Sequence, residues 1–175
     1  MARRGKDQSN DALYEDVPTL AFGRALTLDW DGSFWTGDLR MPSLRRFTDG
    51  SILVEIPNAN GWLPDPIERG LHWLVEQEAS VGEAIVKAIL KARPELTPRT
   101  ISKHVDVRTL VVHDIVNGRR PYLGFGFGCT WDKEHGLGLM MHGASVVQLG
   151  GADTALLDWI AKGHATAKAK ARTPR

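Results

Sequence analysis

The chain has 175 residues, 42% hydrophobic and 25% charged, which suits one globular domain with a real core and excludes an intrinsically disordered chain. No run of about 18 apolar residues occurs, and the start MARRGKDQSNDALYED has charge but no apolar stretch after it, so neither a membrane span nor a signal peptide is expected and a cytoplasmic protein is the simplest reading. A single cysteine, Cys129, excludes an internal disulfide framework and the usual Cys-based zinc site.

The formal charge of +1 is unevenly spread. Arg3, Arg4 and Lys6 lie at one end, Lys168, Lys170, Arg172 and Arg175 at the other, and the 15 remaining basic residues face 21 acidic ones, a formal −6 for the body. The ending ATAKAKARTPR has too little apolar surface to fold alone and lacks the aromatics of a nucleic-acid arm. The expected organisation is a flexible N-terminal segment over 1–19, one domain over 20–163 and a disordered basic tail over 164–175. Nucleic-acid contact is not expected except through those tails.

In chain order, Ala25–Leu39 reads ALTLDWDGSFWTGDL, two alternating runs split by Asp31-Gly32, a pair suited to a tight hairpin. A second pair, Asp49-Gly50, is expected to join a strand at Leu44–Phe47 to another at Ser51–Ile56. Asp65-Pro66-Ile67-Glu68 predicts a helix start with an aspartate cap and proline in the first turn. Ile67, Leu71, Leu74, Val81, Ile85, Val86 and Ile89 give that helix one apolar face to about Lys91, while Ser80-Val81-Gly82-Glu83 leaves open a break into two shorter helices.

Beyond Pro94 and Pro98, a strand is expected over Thr109–Val116, a turn at Asn117-Gly118 and a strand over Tyr122–Cys129. In that strand Leu123, Phe125, Phe127 and Cys129 share one face and Gly124, Gly126 and Gly128 the other, which calls for close approach of another backbone, a helix or a ligand. Leu137–His142 and Ser145–Leu149 form a further hairpin around His142-Gly143-Ala144. Asp153 is expected to cap a helix over Thr154–Lys162 that turns Leu156, Leu157 and Ile160 inward and stops at Gly163. The fold class is therefore α+β: antiparallel N-terminal hairpins, a long central helix or two short ones, a C-terminal antiparallel meander and a C-terminal helix.

Chemistry gathers in Gly128–Gly138, GCTWDKEHGLG. Asp132, Glu134 and His135 are the catalytic candidates, and Trp131, Asp132, Glu134, His135 and His142 the binding candidates. His135 and His142 are seven residues apart and would face opposite ways along a continuous strand, and neither His-Glu-x-x-His nor His-x-His is present, so no metal and no cofactor is expected. A loop role explains more: Asp132 and Glu134 accepting backbone N–H bonds, Trp131 packing over the sheet, Gly136 taking a left-handed bend, Cys129 buried and inert. His72, His104, His113 and His164 show no local pattern and read as structural or exposed. Gly150-Gly151-Ala152-Asp153 is too short for a phosphate-binding turn and reads as a strand-to-helix turn.

The stretch GCTWDKEHGLGLMMHGASVVQLGGADTA resembles the C-terminal signature of an uncharacterised bacterial family, the domain of unknown function 6985, in which a Trp-Asp-Glu-Glu-His-Gly motif precedes a His-Gly turn and a Gly-Gly-Ala-Asp turn. The likeness covers Tyr122 to Ile160, and Lys133 departs from it where an acidic residue is expected. The resemblance implies a place in the toxin–immunity and interaction repertoire but no reaction. Two functions follow as expectations. One is a protein-binding module with an acidic body, such as an immunity protein masking a basic toxin. The other is a hydrolase using Asp132, Glu134 and His135, with His142 and a divalent metal.

Overall fold

The computed structural model describes residues 19–48, 51–57 and 62–172. Eight strands, β1 (Thr19–Phe22), β2 (Leu26–Trp30), β3 (Phe34–Leu39), β4 (Ile52–Pro57), β5 (Val105–Asn117), β6 (Arg120–Cys129), β7 (Leu137–His142) and β8 (Ser145–Gly150), form one sheet in sequence order. Every neighbouring pair is antiparallel except β4 and β5, which run parallel with Leu53 opposite Thr109. Two four-stranded meanders are thus joined through a crossover, and the crossover is the helix α1 (Asp65–Ala92). A C-terminal helix, α2 (Asp158–Arg172), completes the α+β fold. None of these helices is long and apolar enough to cross a membrane among the described residues.

Turn chemistry places β2 and β3 as expected, whereas β1 is a strand that the sequence reading does not anticipate. Asp31 Oδ1 accepts the N–H groups of Ser33 and Phe34 at 2.9 and 2.8 Å, while Gly32 takes φ 99°, a conformation costly for a residue with a Cβ. The aspartate carboxyl is held below its ordinary range by those two bonds.

On one side of the sheet, α1 buries Ile67, Leu71, Leu74, Val81, Ile85 and Ile89 against Leu123, Phe125 and Phe127 of β6. Each such side chain removed from water contributes about 2 kcal/mol before the entropy of ordering it. Both edge strands, β1 and β8, also approach α1, so the sheet curls around the helix.

Several expectations are corrected. Leu44–Phe47 is not a strand but part of a 3-10 turn, Pro42–Phe47, which buries Leu44 and Phe47 beneath α1; the Asp49-Gly50 pair lies outside the described residues. Two apolar residues three apart suit a tight helical turn as well as a strand, and the proline at its start favours the turn. Asp65 makes no capping bond; it pairs with Arg69 one turn on at 3.3 Å. The irregularity in α1 sits at Gln77 (φ −109°, ψ 15°) rather than at Gly82. There Ser43 Oγ donates to the Glu78 carbonyl at 3.2 Å and Ser43 N–H donates to Glu78 Oε1 at 2.6 Å, so the 3-10 turn captures a helical acceptor, a recognised cause of kinking. Gly82 is needed for contact instead: a Cβ there would lie 2.1 Å from Ser43 Oγ.

At the other end, Ala152–Ala155 is a 3-10 turn, and α2 begins at Asp158, runs through Gly163 and reaches Arg172. The helix expected over Thr154–Lys162 is therefore displaced, and most of the tail expected to be disordered over 164–175 is helical. A glycine costs a helix about 1 kcal/mol, which packing of Ile160 and Ala161 against Tyr122 and Met140 offsets.

Candidate functional site

The Trp131–Gly136 loop joins β6 to β7 and is fastened from within. Asp132 Oδ1 accepts the His135 N–H at 2.9 Å and contacts His135 Nδ1 at 3.1 Å, and the Asp132 carbonyl accepts from Gly136 N–H at 3.0 Å and from Cys129 Sγ–H at 3.3 Å. The backbone bond from His135 holds the Asp132 carboxyl below its ordinary range, with the imidazole adding to it. Gly136 has φ 63°, and a Cβ there would press the Phe127 carbonyl at 2.6 Å. Trp131 lies under the Arg93 guanidinium, 4.4 Å from ring centroid to carbon.

The glycine-rich turn after β8 belongs to the same unit. Ala152 N–H donates to the His135 carbonyl at 2.8 Å, and a Cβ on Gly138 would lie 2.3 Å from the Gly151 carbonyl. The Glu-His-Gly and Gly-Gly-Ala elements of the signature are thus two halves of one packed junction.

Within that junction Asp132 is committed to the loop backbone, while Lys133, Glu134 and His135 are exposed, the His135 side chain by 70%. A cleft of about 360 Å³ beside the loop is lined by Lys103, His104, Arg108, Thr130 and Lys133 but by neither Glu134 nor His135. His142 lies at the far end of β7, about 17 Å of extended strand from Leu137, so the structure does not bring it to the loop. Among the described residues no group of three His, Cys, Asp or Glu side chains is arranged to hold a metal ion.

His142 instead belongs to a polar row across three strands. His113 of β5 is opposite Tyr122 of β6, and Tyr122 is opposite His142 of β7, so all three project from the same face. This face is the one covered by α2, and each member of the row meets a residue of that helix. His113 Nδ1 meets Asp158 Oδ1 at 2.5 Å while its Nε2–H donates to the Ala155 carbonyl at 3.0 Å. Both nitrogens of the buried ring therefore lie within hydrogen-bond distance of an oxygen. The hydrogen bond from His113 draws the Asp158 carboxyl below its ordinary range, with Lys162 contributing.

Next in the row, Asn117 Nδ2 donates to the Tyr122 oxygen at 3.0 Å, and the Tyr122 hydroxyl shares a hydrogen bond with His164 Nδ1 at 2.9 Å. Burial pushes the phenol above its ordinary value, opposed by the Asn117 bond. His142 Nε2–H donates to the Asn117 carbonyl at 3.1 Å, which leaves Nδ1 as the acceptor facing Lys168 Nζ at 3.4 Å. Burial holds His142 below the ordinary histidine value, with Lys168, His164 and Arg120 acting the same way; burial and then Lys168 lower His164.

The bare face of β6 admits this arrangement. A Cβ on Gly124 would lie 1.9 Å from the Ala155 carbonyl, so the 3-10 turn before α2 rests directly on the strand backbone. The close approach expected from the three glycines is made, at this position, by another backbone. The histidines of the row were not legible as a set. Counting back from the turn pairs Tyr122 with Ile115, whereas an irregularity between His113 and Asn117 shifts the partner to His113.

Residues 71–156 match the model of a family described as a domain of unknown function (DUF6985). That span runs from α1 through the second meander to the Ala152–Ala155 turn and contains the whole loop junction. No curated protein and no solved structure matches the chain.

Proposed function

We propose that the protein is a protein-binding module. The observation carrying this reading is the pair Leu156 and Trp159, 61% and 64% exposed and three residues apart where the Ala152–Ala155 turn passes into α2. The sequence pattern expects Leu156 to face inward; because α2 starts later, Leu156 falls outside the helix and faces solvent. Thr154, Ala155, Ile160 and Ala161 are buried on either side, so the two apolar side chains stand on a fixed backbone. A rigidly mounted tryptophan offers a large contact area at low entropic cost and is enriched at the centres of interfaces. The exposed Lys133, Glu134 and His135, carried on a locked loop, add a polar recognition surface.

Charge does not single out a basic toxin as the partner. Lys168, Lys170 and Arg172 lie in α2 and not in a solvated tail, and the described residues hold 18 Lys and Arg against 16 Asp and Glu. An immunity role is therefore one instance of the binding reading and not its basis. A reducing, cytoplasmic setting suits the lone buried thiol of Cys129.

The test is affinity capture from cell extract with the wild-type chain and with Leu156→Ser/Trp159→Ser. A partner held by the wild type and bound at least tenfold more weakly by a variant of unchanged Tm is the expected result. Equal capture by both proteins, or capture by neither, refutes the reading.

A further inference from the structure

The β5–β6 turn carries adjacent arginines, Arg119 and Arg120, next to Gly118 at φ 72°. Together with Lys168 of α2 and the edge of His142 they line an open cleft of about 390 Å³, to which Asn117 and Ala171 also contribute. Among the described residues, none of Arg119, Arg120 and Lys168 has a carboxylate partner; the lysine's polar contact is His142 Nδ1, at 3.4 Å. All three cations are exposed at this open cleft, and their like charges raise the local concentration of anions there.

The recess is built and not merely lined. Gly143, at φ 59°, lets the Arg120 stem lie across the β7–β8 turn: a Cβ there would meet Arg120 Cδ at 2.9 Å and Cβ and Cγ at 3.3 Å. That packing restricts the arginine before any ligand arrives. The Asn117 carbonyl fixes His142 with Nδ1 toward Lys168, so protonation at Nδ1 would turn this ring nitrogen from an acceptor into a donor. His142 is faced by Arg120 and Tyr122 from β6, by Asn117 from β5 and by His164 and Lys168 from α2, with no carboxylate among them.

We infer that this cleft binds the phosphate group of a small phosphorylated molecule, with Arg119, Arg120 and Lys168 as its cationic contacts and His142 as a proton-dependent fourth. Three cations lining one cleft match a group carrying about −1.5 to −2 charge and three acceptor oxygens better than they match a monovalent carboxylate. The cleft volume is within the lower range of small-ligand sites, whereas a nucleic-acid groove would spread its cations along a track. This inference is independent of the Leu156–Trp159 surface.

The experiment is a titration of the full chain with inorganic phosphate and with pyrophosphate, followed by calorimetry and by the imidazole NMR signals of His142 and His164. Saturable binding is expected, with the His142 titration moving to higher pH, and Arg119→Ala/Lys168→Ala weakening it at least tenfold while Lys133→Ala, at the other cleft, leaves it unchanged. Acetate matching phosphate in affinity would overturn the assignment to phosphate. Absence of saturation into the millimolar range, or undiminished binding by the double variant, would overturn the site. An oligonucleotide that binds without being displaced by pyrophosphate would transfer the surface to nucleic acid.

Discussion

Two polar regions of this molecule teach opposite lessons. The Trp131–Gly136 loop gathers reactive residue types within a few positions, yet its bonds are spent on its own backbone: Asp132 closes the turn, Gly136 bends it and the His135 carbonyl ties it to Ala152. The row His113, Tyr122, His142 is scattered over 30 positions and has no local pattern, yet it is buried, aligned across three strands and bonded side chain to side chain with α2. Density along the chain marks a tight turn in the first case, whereas convergence in space marks the unusual electrostatics in the second.

The sharpest way to break the contrast is at Gly124. Gly124→Val would drive its side chain into the Ala155 carbonyl and lift α2 off the row, with an expected loss of about 3 kcal/mol in chemical denaturation and release of the helix in amide exchange. An unchanged stability would show that the α2 contact contributes little. A smaller effect is expected from Tyr122→Phe, which removes the hydroxyl between Asn117 and His164 and should cost about 1 kcal/mol.

Acidity sharpens the same comparison. His142 and His164 have folded pKa values below the ordinary value, so the unfolded chain takes up protons first as pH falls through about 6.5, and stability declines from that point downward. Asp158, with its lowered value, adds stability that is present above the ordinary carboxylate range and lost below it. The Tm should therefore fall between neutral pH and mildly acidic pH, and His142→Asn should flatten that slope; an equal slope in the variant would remove His142 from the account. The smallest effect is expected at the loop tip. Glu134→Ala and His135→Ala should each change stability by less than about 0.5 kcal/mol, measured by denaturation, because both side chains are exposed.

Much of the fold was legible because the signals were local. Asp31-Gly32, Asn117-Gly118 and His142-Gly143 marked hairpins through the backbone angles glycine allows, and the Ile67–Ile89 spacing marked α1 through its apolar face. Leu44–Phe47 was misread because four residues are too few to separate a strand from a 3-10 turn, and α2 was cut short because Gly163 reads as a stop where packing overrides propensity. Of the candidate site, the fastening of the loop by Asp132 and Gly136 is legible, whereas Glu134, expected to accept backbone N–H bonds beside Asp132, stands exposed. His142 was named but set beside the wrong neighbours, since strand length carries it away from His135.

By itself, the sequence determined most of the elements, their order and the conformations of several tight turns, because those depend on neighbours a few residues apart. Tertiary structure alone decided that His113, Tyr122 and His142 share a row, that α2 brings His164 and Lys168 onto it, and that Arg119 and Arg120 open a cleft at its end. The register shift between His113 and Asn117 sets which residues stand opposite one another, and the docking of α2 by Ile160 and Ala161 sets what covers them. Neither outcome is encoded in local spacing, because both follow from packing energies between segments distant along the chain.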